Sequence, residues 1–288
     1  MGRTNAVSNT LGAGNRPWSP GPVVVGILNV TPDSFSDGGS FVDPEAAAGH
    51  AATMLDAGAG IIDVGGESTR PGSDPVSPEE EVRRVVPVIE RIIAARPEAV
   101  ISVDTYRSAI AAAALEAGAG IVNDVSALRG DPRMASVVAE AGCPVILMHM
   151  QGEPKTMQSE PRYKDVVHEV KDFLRSRAEH AVASGVGQEN IIVDPGIGFG
   201  KTVDHNLALL RDLGGVVDLG FPVLVGASRK RFIGSITGVQ EAAERVFGTV
   251  ATTVLAYEKG ATLFRVHDVR ANSEALAVAE AVVHAPLR

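Results

Sequence analysis

A single (β/α)₈ barrel is the fold class this sequence predicts, on three observations. Eight apolar runs recur along the chain, each ends in a polar or charged residue, and a helical pattern follows each. The length of 288 residues suits one barrel with a large buried core. The composition is 45% hydrophobic with one Trp and three Tyr, so Val, Ile, Ala and Gly carry it, as barrel strands and close helix–strand packing require. Parallel strands need helical crossovers, and closing the sheet removes its edges. Active sites of such barrels lie at the C-terminal ends of the strands. The residues where the runs stop being apolar are therefore the first candidates for chemistry.

Residues 1–22 are rich in Asn, Ser, Gly and Pro without periodicity and read as a mobile tail, leaving 23–288 as one domain. The first run, 23–30 (VVVGILNV), ends at Asn29, and a helix is expected near 43–58. The second, 60–66 (GIIDVGG), carries Asp63. The connections 31–42 (TPDSFSDGGSFV) and 67–77 (ESTRPGSDPVS) are too long for simple turns and read as lids on the catalytic face. Ser77-Pro78-Glu79-Glu80 supplies a cap, a first-turn Pro and a box Glu. The helix it opens has Val82, Val85, Val86, Ile89, Ile92 and Ile93 on one face, and Pro87 inside it predicts a kink. Run three, 99–105 (AVISVDT), ends at Asp104 before a helix near 107–117. Run four, 119–125 (AGIVNDV), carries Asn123 before a helix near 131–141. Run five, 144–150 (PVILMHM), ends at His149, and Val166, Val167, Val170, Phe173, Leu174 and Ala178 then form a helix face. Run six, 190–196 (NIIVDPG), carries Asp194 before a helix near 203–213. Run seven, 222–228 (PVLVGAS), is followed by Lys230, a helical turn from Arg231-Phe232-Ile233 and a helix near 240–259. Run eight, 262–268 (TLFRVHD), holds Arg265 and His267 in one inward phase before a helix near 273–284. The echo between LDAGAGIIDV (55–64) and LEAGAGIVNDV (115–125) joins a helix-ending Gly to a strand, as stacked units of one fold do.

A net charge of −9 argues against nucleic acid and anionic membrane as partners, because both need a basic face. No run is long enough to span a membrane, and the N-terminus shows neither a signal segment nor a myristoylation pattern, since Ala6 stands where Ser or Thr is needed. The single Cys143 precedes Pro144 at a strand start and reads as a buried structural thiol, consistent with the cytoplasm.

Arg70, Arg229, Lys230, Arg231, Arg265 and His267 all fall just after a strand or in a catalytic-face loop. That many cations on one rim of an acidic protein point to a phosphate or carboxylate ligand. For Arg229 and Arg231, solvated surface charge is an equal reading. Asp63, Asp104, Asn123 and Asp194 are placed at the ends of strands 2, 3, 4 and 6. They either satisfy one another or grip a planar ligand with neighbouring N–H donors, and Asp63 is the most structural of them. Asp194-Pro-Gly-Ile-Gly-Phe-Gly-Lys201-Thr202 fails the P-loop pattern at Pro195 and the dinucleotide pattern at Lys201. It reads as a tight turn that aims Asp194 and Phe199. His149, His205 and His267 are too dispersed for a zinc site, whereas a Mg²⁺ bridging a phosphate, with Asn29 as an oxygen ligand, stays open. No Gly-x-Ser-x-Gly elbow occurs.

Taken in order, GILNVTPDSFSDGG (26–39), IDVGGESTRPG (62–72), SVDT (102–105), NDVS (123–126), LMHMQGEPKTMQ (147–158), DPGIGFGKT (194–202), PVLVGASRKRFIG (222–234) and RVHDV (265–269) resemble the dihydropteroate synthases, the folate-pathway enzymes targeted by sulfonamides. The ordered set is specific although no single piece is. The resemblance implies condensation of 6-hydroxymethyl-7,8-dihydropterin pyrophosphate with p-aminobenzoate, with Mg²⁺, in a cytoplasmic homodimer that sulfonamides inhibit. It implies a pterin pocket of Asp104, Asn123, Asp194, Lys230 and Arg265. Asn29, Thr69, Arg70, Arg265 and His267 match the pyrophosphate site, with Asn29 on the metal. Phe35, Asp37, Pro71, Phe199, Lys230 and Arg231 match the p-aminobenzoate site, where many members carry a small residue in place of Arg231. Asp104, Lys230, Arg265, Arg70 and Asp37 are the residues it implies in catalysis. The family is held to break the C–O bond first, so no enzymic nucleophile is needed. Two alternatives stand beside this: a pterin-binding methyltransferase domain on the same barrel, and an inactive pterin-binding paralogue. Asn29, Arg70, Arg265 and His267 weigh against the first, which has no use for a pyrophosphate site.

Overall fold

Each apolar run becomes a strand: β1 (Val23–Asn29), β2 (Ile61–Gly65), β3 (Ile101–Asp104), β4 (Ile121–Asp124), β5 (Val145–Met148), β6 (Ile191–Asp194), β7 (Leu224–Val225) and β8 (Leu263–Val266). The computed structural model describes residues 21–31, 43–67, 76–152 and 156–285. Most of the proposed tail and of both long connections, and with them Phe35, Asp37, Thr69, Arg70 and Pro71, lie outside the described residues. All strand pairs are parallel in the order β6-β5-β4-β3-β2-β1-β8-β7. The ends meet through one bridge, Val193 to Val223, where Val193 N–H donates to Pro222 O at 3.0 Å, so the barrel is nearly closed.

The helices are α1 (Pro44–Asp56), α2 (Pro78–Ala95), α3 (Ser108–Glu116), α4 (Met134–Ala141), α5 (Val166–Ala183), α6 (Val203–Arg211), α7 (Gly214–Val217), α8 (Arg231–Thr237), α9 (Val246–Glu258) and α10 (Val269–Val283). α2 is capped as its sequence predicts, with the Ser77 side chain accepting from Glu80 N, and it runs as one helix past Pro87. The helix expected over 240–259 begins only at Val246. Gly238, in left-handed backbone at φ 77°, ends α8, and the chain needs the following residues to turn back onto the barrel. α10 starts at Val269, four residues before its expected start, with Asp268 as its cap residue two positions past the end of β8. Among the described residues no helix is long and apolar enough to cross a membrane.

Period two sorts the strands. Val25, Ile61, Ile121, Ile146, Ile192, Leu224 and Leu263 pack together inside the barrel. The residues between them, such as Ile62, Val122, Val193 and Phe264, join the larger core beneath the helices. Two residues farther along four of the inward series stand Asp63, Asn123, Asp194 and Arg265, all on the inward face. A polar layer therefore sits directly on an apolar one. Cα register aligns it, pairing Asp63 with Ser102, Asp104 with Asn123, and Met148 with Asp194. Three placements are corrected: β2 continues past Asp63 to Gly65, β4 past Asn123 to Asp124, and His267 follows the end of β8 instead of lying within it.

Candidate active site

Arg265 is the centre of the polar layer. Its Nε donates to Asp63 Oδ2 at 2.5 Å and its Nη2 to Asp104 Oδ2 at 2.7 Å. Asn123 Nδ2 donates to the same Asp63 oxygen at 3.1 Å. Asp63 Oδ1 and Asp104 Oδ1 are buried without a hydrogen-bond partner among the described residues. Buried carboxylate oxygens left so are costly, and they call for a donor from a ligand or water. Burial pushes the Asp104 carboxyl up to about 7, against the pull of Arg265 and with the push of nearby Asp63. Burial works against the charge of Arg265, but Asp63 and Asp104 outweigh it and hold the guanidinium above its ordinary value.

Asp194 closes the layer on the far side. Its Oδ1 accepts from Gly196 N at 2.6 Å, and burial raises its pKa to about 6 despite that bond and the cations Lys230, Lys201 and Arg265. Gly226, at the strand end opposite, leaves open the space where a side chain would come within 3.8 Å of Arg265 Cβ and 4.0 Å of Asp194 Oδ2. Lys230 caps α8 in extended backbone and sets its Nζ 3.8 Å above the Phe199 ring. A side chain at Gly198 would meet Lys230 Cδ at 2.8 Å, so glycine there lets the lysine lie across the turn. Ser228 Oγ accepts from His267 N at 3.1 Å and contacts His267 Nδ1 at 3.0 Å, which ties the β7 and β8 ends together.

These groups surround a cleft of about 600 Å³, with Asn29, Asp104, Phe199, Lys230, Arg265 and His267 in its wall and exposed Arg231 at the start of α8. Asn123 and Asp194 belong to the same buried layer but not to the wall itself. Arg229 also lines the cleft but, in left-handed backbone at φ 58°, turns its guanidinium to Asp268 in two bonds of 2.9 and 2.5 Å. His149 is buried away from the cleft wall, where burial pulls its pKa down to about 3 and leaves the imidazole neutral. Sequence reasoning gave no role to two wall residues, Lys201, which is 3% exposed and bonded to His149, and Glu67, which is paired with Arg107 at 2.6 Å. Both lie inside the motif stretches that carry the resemblance, but neither has periodicity or a pattern that states its role. Among the described residues no cluster of three His, Cys, Asp or Glu side chains could hold a metal. Asn29 is the neutral oxygen donor at the β1 end of the wall.

Comparison with known proteins agrees with this geometry. The family of pterin-binding enzymes matches residues 25–267. The dihydropteroate synthase of Escherichia coli (strain K12) is 48% identical over 264 residues, covering 92% of this chain and 93% of that protein. The Xanthomonas albilineans dihydropteroate synthase solved with 4-aminobenzoic acid has TM-score 0.87 at 48% identity, covering 93% of this chain and 95% of that one. The same enzyme in complex with 7,8-dihydropteroate has TM-score 0.83 at 45% identity, with the same coverages of 93% and 95%. The Yersinia pestis dihydropteroate synthase in complex with a sulfonamide drug has TM-score 0.86 at 45% identity, covering 92% and 95%. The chain belongs to the pterin-binding enzyme family, among the dihydropteroate synthases.

The Arg265 hub makes a stability prediction. Arg265→Met leaves Asp63 and Asp104 facing each other without a cation, and breaking a buried pair costs about 3–5 kcal/mol. A carboxyl whose pKa is raised on folding destabilises above that pKa and is relieved as protonation neutralises it. The loss relative to the parent chain is therefore expected to be largest at pH 8 and smaller at pH 6 by denaturant unfolding. An equal loss at both values would remove the two carboxylates from the explanation.

Proposed function

We propose that this polar layer and its cation-lined cleft perform the dihydropteroate synthase reaction. The chain joins 6-hydroxymethyl-7,8-dihydropterin pyrophosphate to p-aminobenzoate and releases 7,8-dihydropteroate and pyrophosphate, which makes it a transferase. The observation that carries the reading is the set of buried carboxylates with acceptor oxygens left open below a wall of cations. A pterin offers adjacent amino and ring N–H donors, the chemistry a carboxylate binds in pairs. Asp194 takes the amino group and a ring N–H, Asn123 and Asp104 take the other edge, Lys230 donates to the ring acceptors, and Arg265 stacks on the ring while facing the pyrophosphate. Asn29 and His267, with Thr69 and Arg70 from the loop after β2, hold the pyrophosphate. Phe199, Lys230 and Arg231 form the p-aminobenzoate side with Phe35, Asp37 and Pro71. The ligands named for the Xanthomonas and Yersinia enzymes support the arylamine site and competition by sulfonamides there.

In the reaction the C–O bond to pyrophosphate breaks and the bonding pair leaves with the oxygen. The amine nitrogen of p-aminobenzoate then attacks the cationic pterin methylene and loses a proton. Arg265, Arg70 and His267 receive the charge that develops on the leaving group. Asp104, ionised once ligand N–H groups satisfy it, steadies the cation. Asn29 suits Mg²⁺, which takes one or two protein oxygens and fills its shell with phosphate oxygens and water. When bound, the ion neutralises charge on the departing pyrophosphate.

A homodimer is part of the proposal. Phe247, 85% exposed, and the exposed Leu255, Val278, Val282 and Val283 place apolar side chains on the outward sides of α9 and α10. Exposed apolar surface of this kind marks an interface, and a second copy covers it. Nothing in the reaction calls for a compartment other than the cytoplasm.

Three outcomes are expected. Pyrophosphate is released only when both substrates are present, and its absence with both would reject the assignment. Asp194→Asn weakens binding of a pterin analogue by about 1.5–3 kcal/mol in calorimetry, since an amide offers one acceptor where the ligand presents two donors; unchanged affinity would remove Asp194 from the pocket. Phe247→Glu converts the dimer to a monomer in light scattering, and a dimer of unchanged stability would place the interface elsewhere.

A further inference from the structure

The Gly-rich segment after β6 carries a buried lysine that the reaction as described does not use. Lys201 Nζ contacts Gly196 O at 2.9 Å, Phe199 O at 3.0 Å and His149 Nδ1 at 2.9 Å. An ammonium has three donors, which these three close acceptors satisfy, with His149 O a longer fourth contact at 3.4 Å. His149 is then neutral with Nδ1 accepting, so its ring proton sits on Nε2. Burial pulls Lys201 down to about 7, with Asp194 opposing, so the side chain stays in this position at a real desolvation cost. A methionine at this place would fill similar volume at no such cost. The retained ammonium implies a task that apolar packing does not perform.

The task is legible in what the three acceptors belong to. Gly196 and Phe199 bracket the turn that presents the Phe199 ring, and Phe199 N closes it by donating to Gly196 O at 3.1 Å. His149 belongs to the neighbouring segment after β5, so the ammonium pins one loop to the other. The two loops already touch backbone to backbone. A Cβ at Gly196 would lie 1.8 Å from His149 O, and one at Gly200 would lie 2.3 Å from Gln151 O. Steric contact limits approach but does not stop the turn from lifting away. Tyr163 on Gly200 O at 2.8 Å, Gln158 on Gly198 O and Asn206 on Gly198 N at 2.7 Å restrain its glycines, and the Lys201 bonds restrain the carbonyl of Phe199 itself. The wall side of the turn is Phe199, with Lys230 Nζ 3.8 Å above its ring.

We propose that Lys201 is a positioning residue for p-aminobenzoate: it fixes the turn that offers Phe199 to the arylamine, while Lys230 keeps its own place as the N-cap residue of α8. The inference rests on the reading of Phe199 as part of the p-aminobenzoate site. Its effect is selective, because Asp104 and Asn123 are strand residues held by the sheet and Asp194, although Gly196 N of the turn reaches its Oδ1, is fixed by β6, whereas Phe199 is held by the turn alone.

Steady-state kinetics with both substrates varied tests this on Lys201→Met, His149→Phe and Phe199→Ala, each assayed well below its own melting midpoint. Lys201→Met is expected to raise KM for p-aminobenzoate at least tenfold and to leave KM for the pterin pyrophosphate within twofold. His149→Phe, which removes one acceptor and keeps a ring against Phe173, is expected to move the same constant in the same direction by a smaller factor, and it decides the matter if Lys201→Met does not fold. A purely structural lysine would lower the melting midpoint and the active fraction but leave both KM values of the surviving enzyme alone, and that result overturns the proposal. A parallel rise in both KM values overturns it as well. Phe199→Ala separates the two levels. If it leaves KM for p-aminobenzoate unchanged, the assignment of Phe199 fails. If it raises that KM while Lys201→Met and His149→Phe do not, the role of Lys201 alone fails.

Discussion

The guanidinium of Arg265 between Asp63 and Asp104 is the interaction on which the rest depends. It reaches 202 residues back along the chain to β2 and 161 back to β3, and so ties the first third of the barrel to its last strand. Arg265 offsets the repulsion between the two carboxyls, and its bonds leave one oxygen on each without a partner among the described residues. The same arginine lies in the cleft wall, where it also faces whatever anion the cleft receives. Under the proposed roles, one side chain thereby couples the packing of the barrel to recognition of both ends of a charged, N–H-rich ligand.

Around that hub the barrel divides labour by element type. Apart from Lys230, residues that meet the pterin under the proposed roles come from strands, whose register is fixed by parallel pairing on both sides. Residues that meet p-aminobenzoate come from turns and helix starts, where Gly196, Gly198 and Gly200 adopt positive φ to let backbone approach backbone. Such segments are held by few bonds, and most of those seen here are made by Lys201, Tyr163 and Gln158 to main-chain oxygens. Rigid strands beneath adjustable turns suit a reaction in which one substrate is gripped while the second is admitted.

Much of this was legible in the residues. The alternation of apolar and polar positions located all eight strands, because a barrel strand buries both faces and its inward polar residue interrupts the run. Asp104, Asn123, Asp194 and Arg265 stand out for that reason. Where strands stop was less legible: Asp63 and Asn123 are followed by Gly65 and Asp124, buried residues that keep pairing although the apolar run has ended. His149 and Arg229 were misdirected by the same logic, since a polar residue at a strand end can point into a neighbouring loop or find an acid such as Asp268. Lys201 reads only as part of two failed phosphate-binding patterns, because its partners are main-chain oxygens of its own turn and the ring of His149, 52 residues away, and no side-chain pattern encodes them. The start of α9 was misplaced for a related reason. Arg245 donates to the carbonyls of Val239 and Arg229, and this tertiary anchoring of residues 239–245 has no local signature.

The central claim is that buried carboxylates raised by desolvation await ligand N–H donors. Asp104 lies near 7 and Asp194 near 6 in the unliganded protein. Donors from a bound pterin favour the ionised forms and lower both values. Calorimetric titration of 6-hydroxymethylpterin at pH 7, repeated in buffers of different ionisation enthalpy, measures this directly. The account predicts release of roughly half a proton or more per pterin bound, the fraction held by a carboxyl of pKa near 7 at that pH. It also predicts that the release disappears above pH 8.5, where both groups are already ionised. A binding enthalpy independent of buffer at pH 7, or proton uptake in place of release, would contradict it.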